Sequence, residues 1–312
     1  MLESFTICLN AVLPIFLLMA VGYAARCFHL LDRADVAKIN KIVFRAFMPA
    51  MVFYNIYSSD LSSAVRGSLL GYAVLGVFAE FLLSLGYALL FVKERSRRGV
   101  VIQGLFRSNF VIIGLPIAES LVDGDLGPVA MLLAAVVPLY NVLAVITLAI
   151  FNGQKPDWKK VLLDILENPL IIGSAVGIAA LLAGIRLPAP LEKVVSQMSD
   201  ATSPMLLFLL GAFFQFRGMR GHVRELAAVC LGRLVVFPAL FLGLAAAMGF
   251  RGVELVSLLG IFASSTAIAS FTMAQQMGGD AELAGDIVVW TSALCSFTLF
   301  GWSLLFKLLA LI

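Results

Sequence analysis

Two copies of a proline-containing apolar motif stand 155 residues apart in this chain. Pro14 precedes Pro49 by 35 residues, and Pro169 precedes Pro204 by the same distance. The tripeptide Ala-Val-Gly begins six residues after Pro14 and, in the other half, six residues after Pro169. Each copy lies within a long apolar segment. We therefore predict that the two halves are copies of one structural unit.

The composition places most of this chain in lipid. Hydrophobic residues make up 61% of the 312 residues and charged residues 13%, with a mean hydropathy of +1.02. Soluble domains carry about 25% charged residues, so a soluble fold would expose a large apolar surface. The net charge of +3 is modest. The basic residues lie between apolar segments, where they indicate membrane topology and not binding of nucleic acid.

The apolar segments are long enough to cross a bilayer as helices, which takes about 20 residues each. The predicted spans cover residues 5–25, 39–57, 68–92, 100–120, 127–151, 165–184, 194–216, 224–249, 255–276 and 284–309. The predicted fold class is an all-α membrane protein with ten transmembrane helices. Its predicted domains are a first five-helix repeat over 1–151, a cytoplasmic linker over 152–164 and a second five-helix repeat over 165–312.

The distribution of Lys and Arg predicts how these spans are oriented. With the N-terminus outside, 14 of the 22 basic residues lie in inward loops and five in outward loops. This bias assigns both termini to the outer face of a cytoplasmic membrane. Because the first unit has an odd number of spans, the second unit enters the membrane from the opposite side. The repeats are therefore predicted to be inverted, an architecture typical of secondary transporters that work by alternating access.

No residue pattern in the chain indicates an enzyme, a cofactor or a metal site. The four cysteines are scattered without metal-ligand spacing, and the two histidines, His29 and His222, lie near span ends among basic residues. The first apolar run follows Glu3 and no basic segment, so it is predicted as a transmembrane helix and not as a cleaved signal peptide. We predict no cofactor, no metal and no enzymatic activity.

Two of the spans are interrupted by residues that disturb a membrane helix. The fourth span contains Asn109, Gly114 and Pro116, and Gly and Pro free backbone groups that lipid cannot satisfy. The ninth span has Ser264-Ser265-Thr266 and then Ser270 at the position that mirrors this break. A lone hydroxyl in a membrane helix is usually structural. Four hydroxyls in seven residues, opposite a Gly-Pro break, predict a central site whose helix ends suit a carboxylate.

Asn141 of the fifth span and five ionisable residues also lie within spans. The ionisable residues are Arg45, Glu80, Arg107, Asp200 and Arg233. A mid-membrane amide binds either a neighbouring helix or a solute, and the sequence leaves both open for Asn141. The arginines either pair with an acid or extend to the inner surface. Glu80 either pairs with an arginine or takes part in proton coupling, and Asp200 is a candidate ligand for a coupling ion.

Several short motifs follow one another in a characteristic order through both halves. In the first half they are Pro14 with Gly22-Tyr23, Asn40-Lys41, Met48-Pro49-Ala50, Asn109 with Gly114-Leu115-Pro116, and Asn141. In the second half they are Asn168-Pro169, Ser203-Pro204, Leu209, Gly211, Phe271 and Ala274. Over essentially the whole chain this order resembles the auxin efflux carrier family, in its bacterial branch. The chain departs from the family at Ser265, where the family often has a proline.

The resemblance implies a ten-helix inverted-repeat fold in which the broken fourth and ninth helices cross. It also implies a homodimer that carries small organic anions, such as auxin-like indole acids or dicarboxylates like malonate and malate. The predicted substrate-binding residues are Asn109, Gly114, Pro116, Asn141, Ser264, Ser265, Thr266 and Ser270. The second break then depends on hydroxyl groups where the family often uses proline.

The leading hypothesis from the sequence is a secondary transporter of a small carboxylate. The alternative keeps the fold and makes the chain a sodium- or proton-coupled carrier of the bile-acid-symporter or antiporter type. Antiporters of that architecture need carboxylates at the crossing, and this chain has none at the centre of either broken helix. The sequence does not decide whether H⁺ or Na⁺ is coupled to transport.

Overall fold

The structure, a computed structural model, describes residues 2–58, 67–114, 127–151, 158–214 and 221–312. In chain order its helices are α1 (Leu2–Cys27), α2 (Arg33–Ile42, a π-helical turn Val43–Phe47, then Met48–Tyr57), α3 (Gly67–Phe91), α4 (Arg95–Phe106), α5 (Gly127–Ile150), α6 (Trp158–Leu166), α7 (Pro169–Leu182), α8 (Ala189–Phe213), α9 (Val223–Leu231, a π-helical turn Gly232–Val236, then Phe237–Ala247), α10 (Val253–Ala263), α11 (Ala269–Met277) and α12 (Ala281–Leu308). Over these ranges the predicted all-α class is confirmed.

Four of these helices are long and apolar enough to cross a membrane. They are Gly67–Phe91, Met131–Ile150, Val223–Ala247 and Ala281–Leu308, and their mean hydropathy runs from 1.6 to 2.3. Large apolar side chains cover their outer surfaces; in α3, Leu75 is 71% exposed and Leu90 is 79% exposed. Exposed apolar surface of this extent requires lipid as its solvent. The protein is therefore an integral membrane protein.

Polar caps set where the helices begin. At the start of α2, Asp32 Oδ1 accepts the Asp35 N–H at 2.7 Å, and the Asp32 N–H donates to the Asp35 carboxylate at 3.2 Å. The bond from the Asp35 N–H holds the pKa of the Asp32 carboxyl below its usual range. At the start of α7, Asn168 Oδ1 accepts the Leu170 N–H at 3.0 Å, and Pro169 follows the cap. Each cap satisfies a backbone N–H that the helix leaves unpaired.

Helix α6 begins within the predicted linker, residues 152–164, and ends two residues beyond it. It covers residues 158–166, while residues 152–157 lie outside the described ranges. Val161 and Ile165, one helical turn apart, face the protein, and Lys159 is exposed. Leu162, Leu163 and Leu166 are more than half exposed, so this helix also has apolar side chains on the side that faces away from the protein.

Helices α1 and α8 pack so closely that only glycine fits at two contact points. A Cβ added at Gly22 would lie 1.9 Å from the carbonyl oxygen of Phe208, and a Cβ added at Gly211 would lie 1.9 Å from the carbonyl oxygen of Met19. Both neighbours are backbone atoms, which cannot rotate away as a side chain could. Either substitution therefore has to separate the two helices.

We expect Gly22→Ala and Gly211→Ala each to lower the free energy of unfolding by about 1–3 kcal/mol, because an overpacked contact forces the backbone to move. The matched control is Gly243→Ala in α9, where an added Cβ meets nothing within 4 Å and alanine is the better helix former by about 1 kcal/mol. Thermal unfolding in detergent compares the three variants. A Gly22→Ala protein that melts at or above the wild-type temperature would contradict this packing.

Candidate functional site

Both interrupted helices break where their sequences become polar. Helix α4 ends at Phe106, and residues 107–109 separate it from a π-helical turn, Phe110–Gly114. Arg107 is extended, with φ −85° and ψ 110°. Helix α10 ends at Ala263, and residues 264–268 separate it from α11. The first break thus contains Asn109 itself and lies ahead of Gly114, and Pro116 lies outside the described residues.

The two breaks pair with each other through their backbones. The Asn109 N–H donates to the Ser265 carbonyl at 2.8 Å, and the Ala267 N–H donates to the Arg107 carbonyl at 3.1 Å. These bonds form one antiparallel bridge between Ser108 and Thr266. Backbone groups that the broken helices leave without partners are therefore satisfied by the other break, as a membrane interior requires.

Glycine allows the two broken segments to approach this closely. A Cβ added at Gly114 would lie 3.0 Å from both the Cα and the carbonyl oxygen of Gly260, and 2.5 Å from the Phe110 ring. A Cβ added at Gly260 would in turn lie 2.8 Å from the same ring. Gly114, predicted as a site residue, thus lies at the backbone contact between the segments.

Where these two breaks meet, residues 107–109 and 264–268 form a crossing that hydroxyl groups join from both sides. The Ser108 and Ser264 hydroxyls lie 2.5 Å apart, and the Ser108 hydroxyl also donates to the Gly260 carbonyl at 3.1 Å. The Thr266 hydroxyl donates to the Gly104 carbonyl of α4 at 2.7 Å. Ser264 and Thr266 are fully buried, and their hydroxyls are directed at protein groups across the crossing.

A buried guanidinium from α9 holds the C-terminal ends of both α4 and α10. Arg233 is fully buried and donates to the carbonyls of Leu105 and Phe106, each at 3.3 Å. It also donates to the carbonyl of Ile261 at 2.7 Å and that of Ser264 at 2.8 Å. The last carbonyls of a helix lack intrahelical partners and carry the negative end of its dipole. Arg233 therefore neutralises two helix ends at once.

Glu80 of α3 provides the counter-charge for this guanidinium. One of its carboxylate oxygens lies 3.4 Å from Arg233 Nη1, and both side chains are fully buried. The other oxygen, Oε1, has no hydrogen-bond partner within the described part of the chain. Of the two sequence-based readings of Glu80, the geometry shows the pair with an arginine, and Arg233 does not extend to the membrane surface.

A cavity of about 60 Å³ lies beside the crossing. It is lined by Met51, Val52, Asn55, Arg107, Ser108, Asn109, Phe110, Val111, Ile112, Val137, Tyr140, Asn141, Ser203, Leu206, Ala267, Ile268 and Ala269. A water needs roughly 10–15 Å³ by this kind of measure. This conformation therefore has room for a few waters, and the walls must move apart to admit a larger solute.

Arg107 brings a positive charge to the cavity. Its guanidinium donates to Asn141 Oδ1 at 2.6 Å and to Gln103 Oε1 at 3.3 Å, and it lies 2.8 Å from Met273 Sδ. All of these partners are neutral. Throughout the ranges that the structure describes, no carboxylate lies within ion-pair distance of Arg107, although the side chain is only 4% exposed.

Two amides that line the same cavity as this guanidinium have unused donors. Asn109 Nδ2 and Asn141 Nδ2 are buried and have no hydrogen-bond partner in the described ranges. Because Asn141 Oδ1 accepts from Arg107, the orientation of the Asn141 amide follows from that bond and its N–H groups remain available. A guanidinium and amide N–H donors that line one cavity are suited to bind a carboxylate.

The remaining predicted site residues lie outside the cavity lining. Ser265 is buried, and its hydroxyl accepts from the Ser292 hydroxyl at 3.2 Å. Ser270 is 3% exposed, and its hydroxyl has no partner among the described residues. Asp200 is exposed on α8. Arg45 is exposed too, and it lines a separate polar recess of about 660 Å³.

Sequence reasoning missed four polar residues of the cavity: Asn55, Ser108, Tyr140 and Ser203. Asn55 could have been predicted, because it is an amide within a predicted apolar span, as Asn141 is. Ser108 stands between Arg107 and Asn109, which are both candidate residues from the sequence. Tyr140 and Ser203 reach the cavity only because α5 and α8 pack beside the crossing, and no local pattern reports that packing.

The fold and the site together define a class of protein. It is a helical membrane protein with a positively charged cavity where two interrupted helices meet, and interrupted helices form the binding sites of many transporters. The sequence pattern of the family described as "Membrane transport protein" matches residues 7–160 and 154–303. The chain therefore belongs to this family of membrane transporters, and the expected membership of the auxin efflux carrier family is confirmed.

Three relatives match the chain along nearly its whole length. An uncharacterized transporter of Methanocaldococcus jannaschii is 25% identical over 308 residues, which cover 95% of this chain and 99% of the relative. A Rhizobium meliloti protein named "Putative malonate transporter" is 24% identical over 301 residues, 93% of each chain. An uncharacterized transporter of Methanothermobacter thermautotrophicus is 21% identical over 306 residues, 94% of this chain and 97% of the relative.

Proposed function

We propose that the protein is a secondary transporter that moves a small organic anion across the cytoplasmic membrane by alternating access. The observation that carries this proposal is Arg107, whose buried guanidinium faces the cavity without a carboxylate partner in the described ranges. A charge buried without a counter-ion is strongly unfavourable. An anionic solute that contacts Arg107, Asn109 and Asn141 supplies the missing charge. The relative whose name refers to malonate agrees with a small carboxylate.

We assign two kinds of role to the predicted site residues. Asn109 and Asn141 contact the anion, together with Arg107. Gly114, Ser264 and Thr266 act through the crossing, because their contacts join the two broken segments. Ser265 acts in the same way, because its hydroxyl accepts from that of Ser292 on α12, and Ser270 lies in the first turn of α11. Pro116 stands two residues after Gly114 in the same interrupted span.

We also propose that the helices form two inverted five-helix repeats, ten spans in all. Helices α1, α2 and α3 end at residues 27, 57 and 91, and α7, α8 and α9 end at residues 182, 213 and 247, which is 155–156 residues later. This regular offset agrees with the 155-residue spacing of the proline motifs. Ten spans place both termini on the same side of the cytoplasmic membrane, and the distribution of Lys and Arg favours the outer face.

Reciprocal contacts between the halves support a two-fold relation. A Cβ at Gly22 would meet the carbonyl oxygen of Phe208, and a Cβ at Gly177 would meet that of Phe53, at 3.1 Å. A shift of 155 residues converts one contact into the other, as an approximate two-fold axis requires. Thr202, the counterpart of Phe47 under this shift, donates to the Phe47 carbonyl at 3.1 Å. Direct contact between counterparts is expected beside such an axis.

Alternating access then follows from two groups of helices that meet at the cavity. Helices α1, α2, α7 and α8 pack on one another, and α3, α4, α5 and α9–α12 pack around the crossing. Met51 and Ser203 line the cavity from the first group, and Asn109 and Asn141 line it from the second. Movement of one group past the other would open the cavity to each side in turn.

We further propose a homodimer and transport without enzymatic activity, in keeping with the family and with relatives named as transporters. The alternative function that the sequence leaves open is a carrier in which transport is coupled to H⁺ or Na⁺. A sodium site needs several oxygen ligands, usually with a carboxylate. The described lining of the cavity has no Asp or Glu, and this favours the anion itself as the charged ligand.

Detergent-purified protein tests this proposal in a thermal-shift screen of small carboxylates, with and without sodium. A ligand at 100 times its Kd is expected to stabilise the protein by about 2.7 kcal/mol. The shift should disappear in Asn109→Ala and persist in Gln197→Ala, an amide exposed on α8 outside the cavity. Uptake of labelled malonate into proteoliposomes should follow the same pattern. If no carboxylate shifts the melting temperature or enters the proteoliposomes, the anion assignment is wrong.

A further inference from the structure

We propose that the cavity at the crossing binds its ligand as a monoanion. The ligand is either a short monocarboxylate with a neutral hydrogen-bonding group at its other end, or a dicarboxylic acid that keeps one carboxyl protonated. This inference rests on the proposed function, because it takes the same site and specifies the charge of what the site binds. It goes beyond the name of any relative, which does not state a charge.

The first step is a count of charges around the cavity. Among the lining residues Arg107 is the one charged side chain, and Tyr140, on α5, is the other titratable one. The lining residues of α2, α8 and α11 are apolar or neutral polar ones. The cavity as described thus has one full positive charge and no negative charge.

The second step concerns the other buried cation at the crossing. Arg233 of α9 is paired with Glu80 of α3, and its remaining donors are used by the carbonyls of both broken helices. This guanidinium is already balanced by a carboxylate and two helix ends. Arg233 is also absent from the cavity lining. Arg233 therefore does not provide a positive charge for binding the ligand.

The third step is the difference between the helices that line the cavity. The first break and α5 provide Arg107, Asn109 and Asn141, whose donors suit one ionised carboxylate. The lining from α2 and α8 provides Asn55 and Ser203 among apolar residues. An amide oxygen or a hydroxyl can accept from a protonated carboxyl or bond to an amide. A second ionised carboxylate there would be buried without a cation, which is strongly disfavoured.

The consequence is a defined dependence of affinity on pH. Above the second pKa of a dicarboxylic acid, the monoanion becomes tenfold scarcer for each pH unit. If the monoanion is what binds, one proton is taken up for each molecule bound, and the apparent Kd rises tenfold per pH unit. A ligand that stays a monoanion over the same range shows no such dependence.

Malonate and its monoamide form a matched pair of probes. They have nearly the same shape, but the monoamide carries one negative charge at every pH between 6 and 8.5. Isothermal titration calorimetry on the wild-type protein is expected to show the apparent Kd of malonate rising about tenfold per pH unit at the upper end of this range. The Kd of the monoamide should stay constant over this range, and at pH 8.5 it should be lower than the Kd of malonate.

The monoamide also controls for the protein's own titration. Any protein group whose protonation changes between pH 6 and 8.5 would alter the binding of both probes. Repeating the titration in buffers of different ionisation enthalpy counts the protons directly, with about one expected for malonate and none for the monoamide at pH 8.5.

The outcomes separate this inference from the proposed function. A malonate Kd that does not change with pH, with no proton uptake, means that the dianion binds and overturns the inference while the transporter assignment stands. Failure of both probes and of every other carboxylate to bind overturns the proposed function itself. Binding of the monoamide with a proton-linked malonate Kd supports both.

Discussion

Arg107→Gln is expected to weaken binding of small carboxylates by about 2–5 kcal/mol, or roughly 30-fold to several thousand-fold. The substitution removes the positive charge of the cavity and leaves the neighbouring amides of Asn109 and Asn141 in place. Because the site is buried, the lost interaction is not replaced by one with water. Titration calorimetry with malonate, or uptake into proteoliposomes, measures the loss.

The same substitution should not destabilise the protein in the absence of ligand. Arg107 is 4% exposed and its described partners are neutral, so the folded state bears the full desolvation of its charge. A neutral side chain of related shape removes this desolvation cost. We therefore expect the melting temperature of Arg107→Gln to equal or exceed that of the wild type. Residues kept for function at the expense of stability behave in this way.

Arg107→Lys is the companion variant. It retains the charge but loses the planar fork of donors, so it should keep part of the affinity that Arg107→Gln loses. If Arg107→Gln instead lowers the melting temperature by several degrees and binds malonate normally, Arg107 is a structural residue and the anion lies elsewhere.

Arg233→Met is expected to have the opposite signature, a large loss of stability of about 3–5 kcal/mol. The substitution leaves Glu80 buried without its cation, and it removes the donor shared by four carbonyls at the ends of α4 and α10. Each unsatisfied buried carbonyl adds to the loss. Thermal unfolding in detergent and the yield of folded, monodisperse protein measure this effect.

A double-mutant cycle separates the ion pair from the helix-end contacts. Glu80→Gln removes only the counter-charge, while Arg233 keeps its four carbonyl partners, so it should be milder than Arg233→Met. The double variant should recover the part of the loss that came from the unpaired carboxylate. Arg186→Met, at an exposed position, is the control for losing an arginine. A wild-type melting temperature for Arg233→Met would show that the crossing does not need this clamp.

The helical and membrane character of this protein was predictable because both depend on local properties. A backbone in lipid has to satisfy its own hydrogen bonds, so long apolar segments become helices. The predicted span at 68–92 corresponds to α3, Gly67–Phe91, and the predicted span at 127–151 to α5, Gly127–Ile150. The position of Glu80 within a span also predicts that its carboxylate has a partner, but the sequence does not identify that partner.

The parts of the site that were not predictable depend on contacts between distant residues. Arg233 meets Glu80 across 153 positions of the chain, and Ser108 meets Ser264 across 156. Gly114 and Pro116 predict a break in the fourth span, and within the described residues this span is interrupted at residues 107–109, ahead of Gly114, while Pro116 lies outside them. Pairing of Asn109 and Arg107 with the second break satisfies the backbone there, so a helix can end without a proline.

The sequence alone determined that the chain is an all-helical membrane protein of a transporter family and that polar residues interrupt two spans. Apolar content, motif order and helix-disturbing residues are properties of single segments, so they can be read one segment at a time. Only the tertiary structure decided that Arg233 is neutralised by Glu80 and two helix ends while Arg107 faces the cavity. The two arginines look alike in sequence, and their chemistry differs because the charge of a buried group depends on which atoms of other helices surround it.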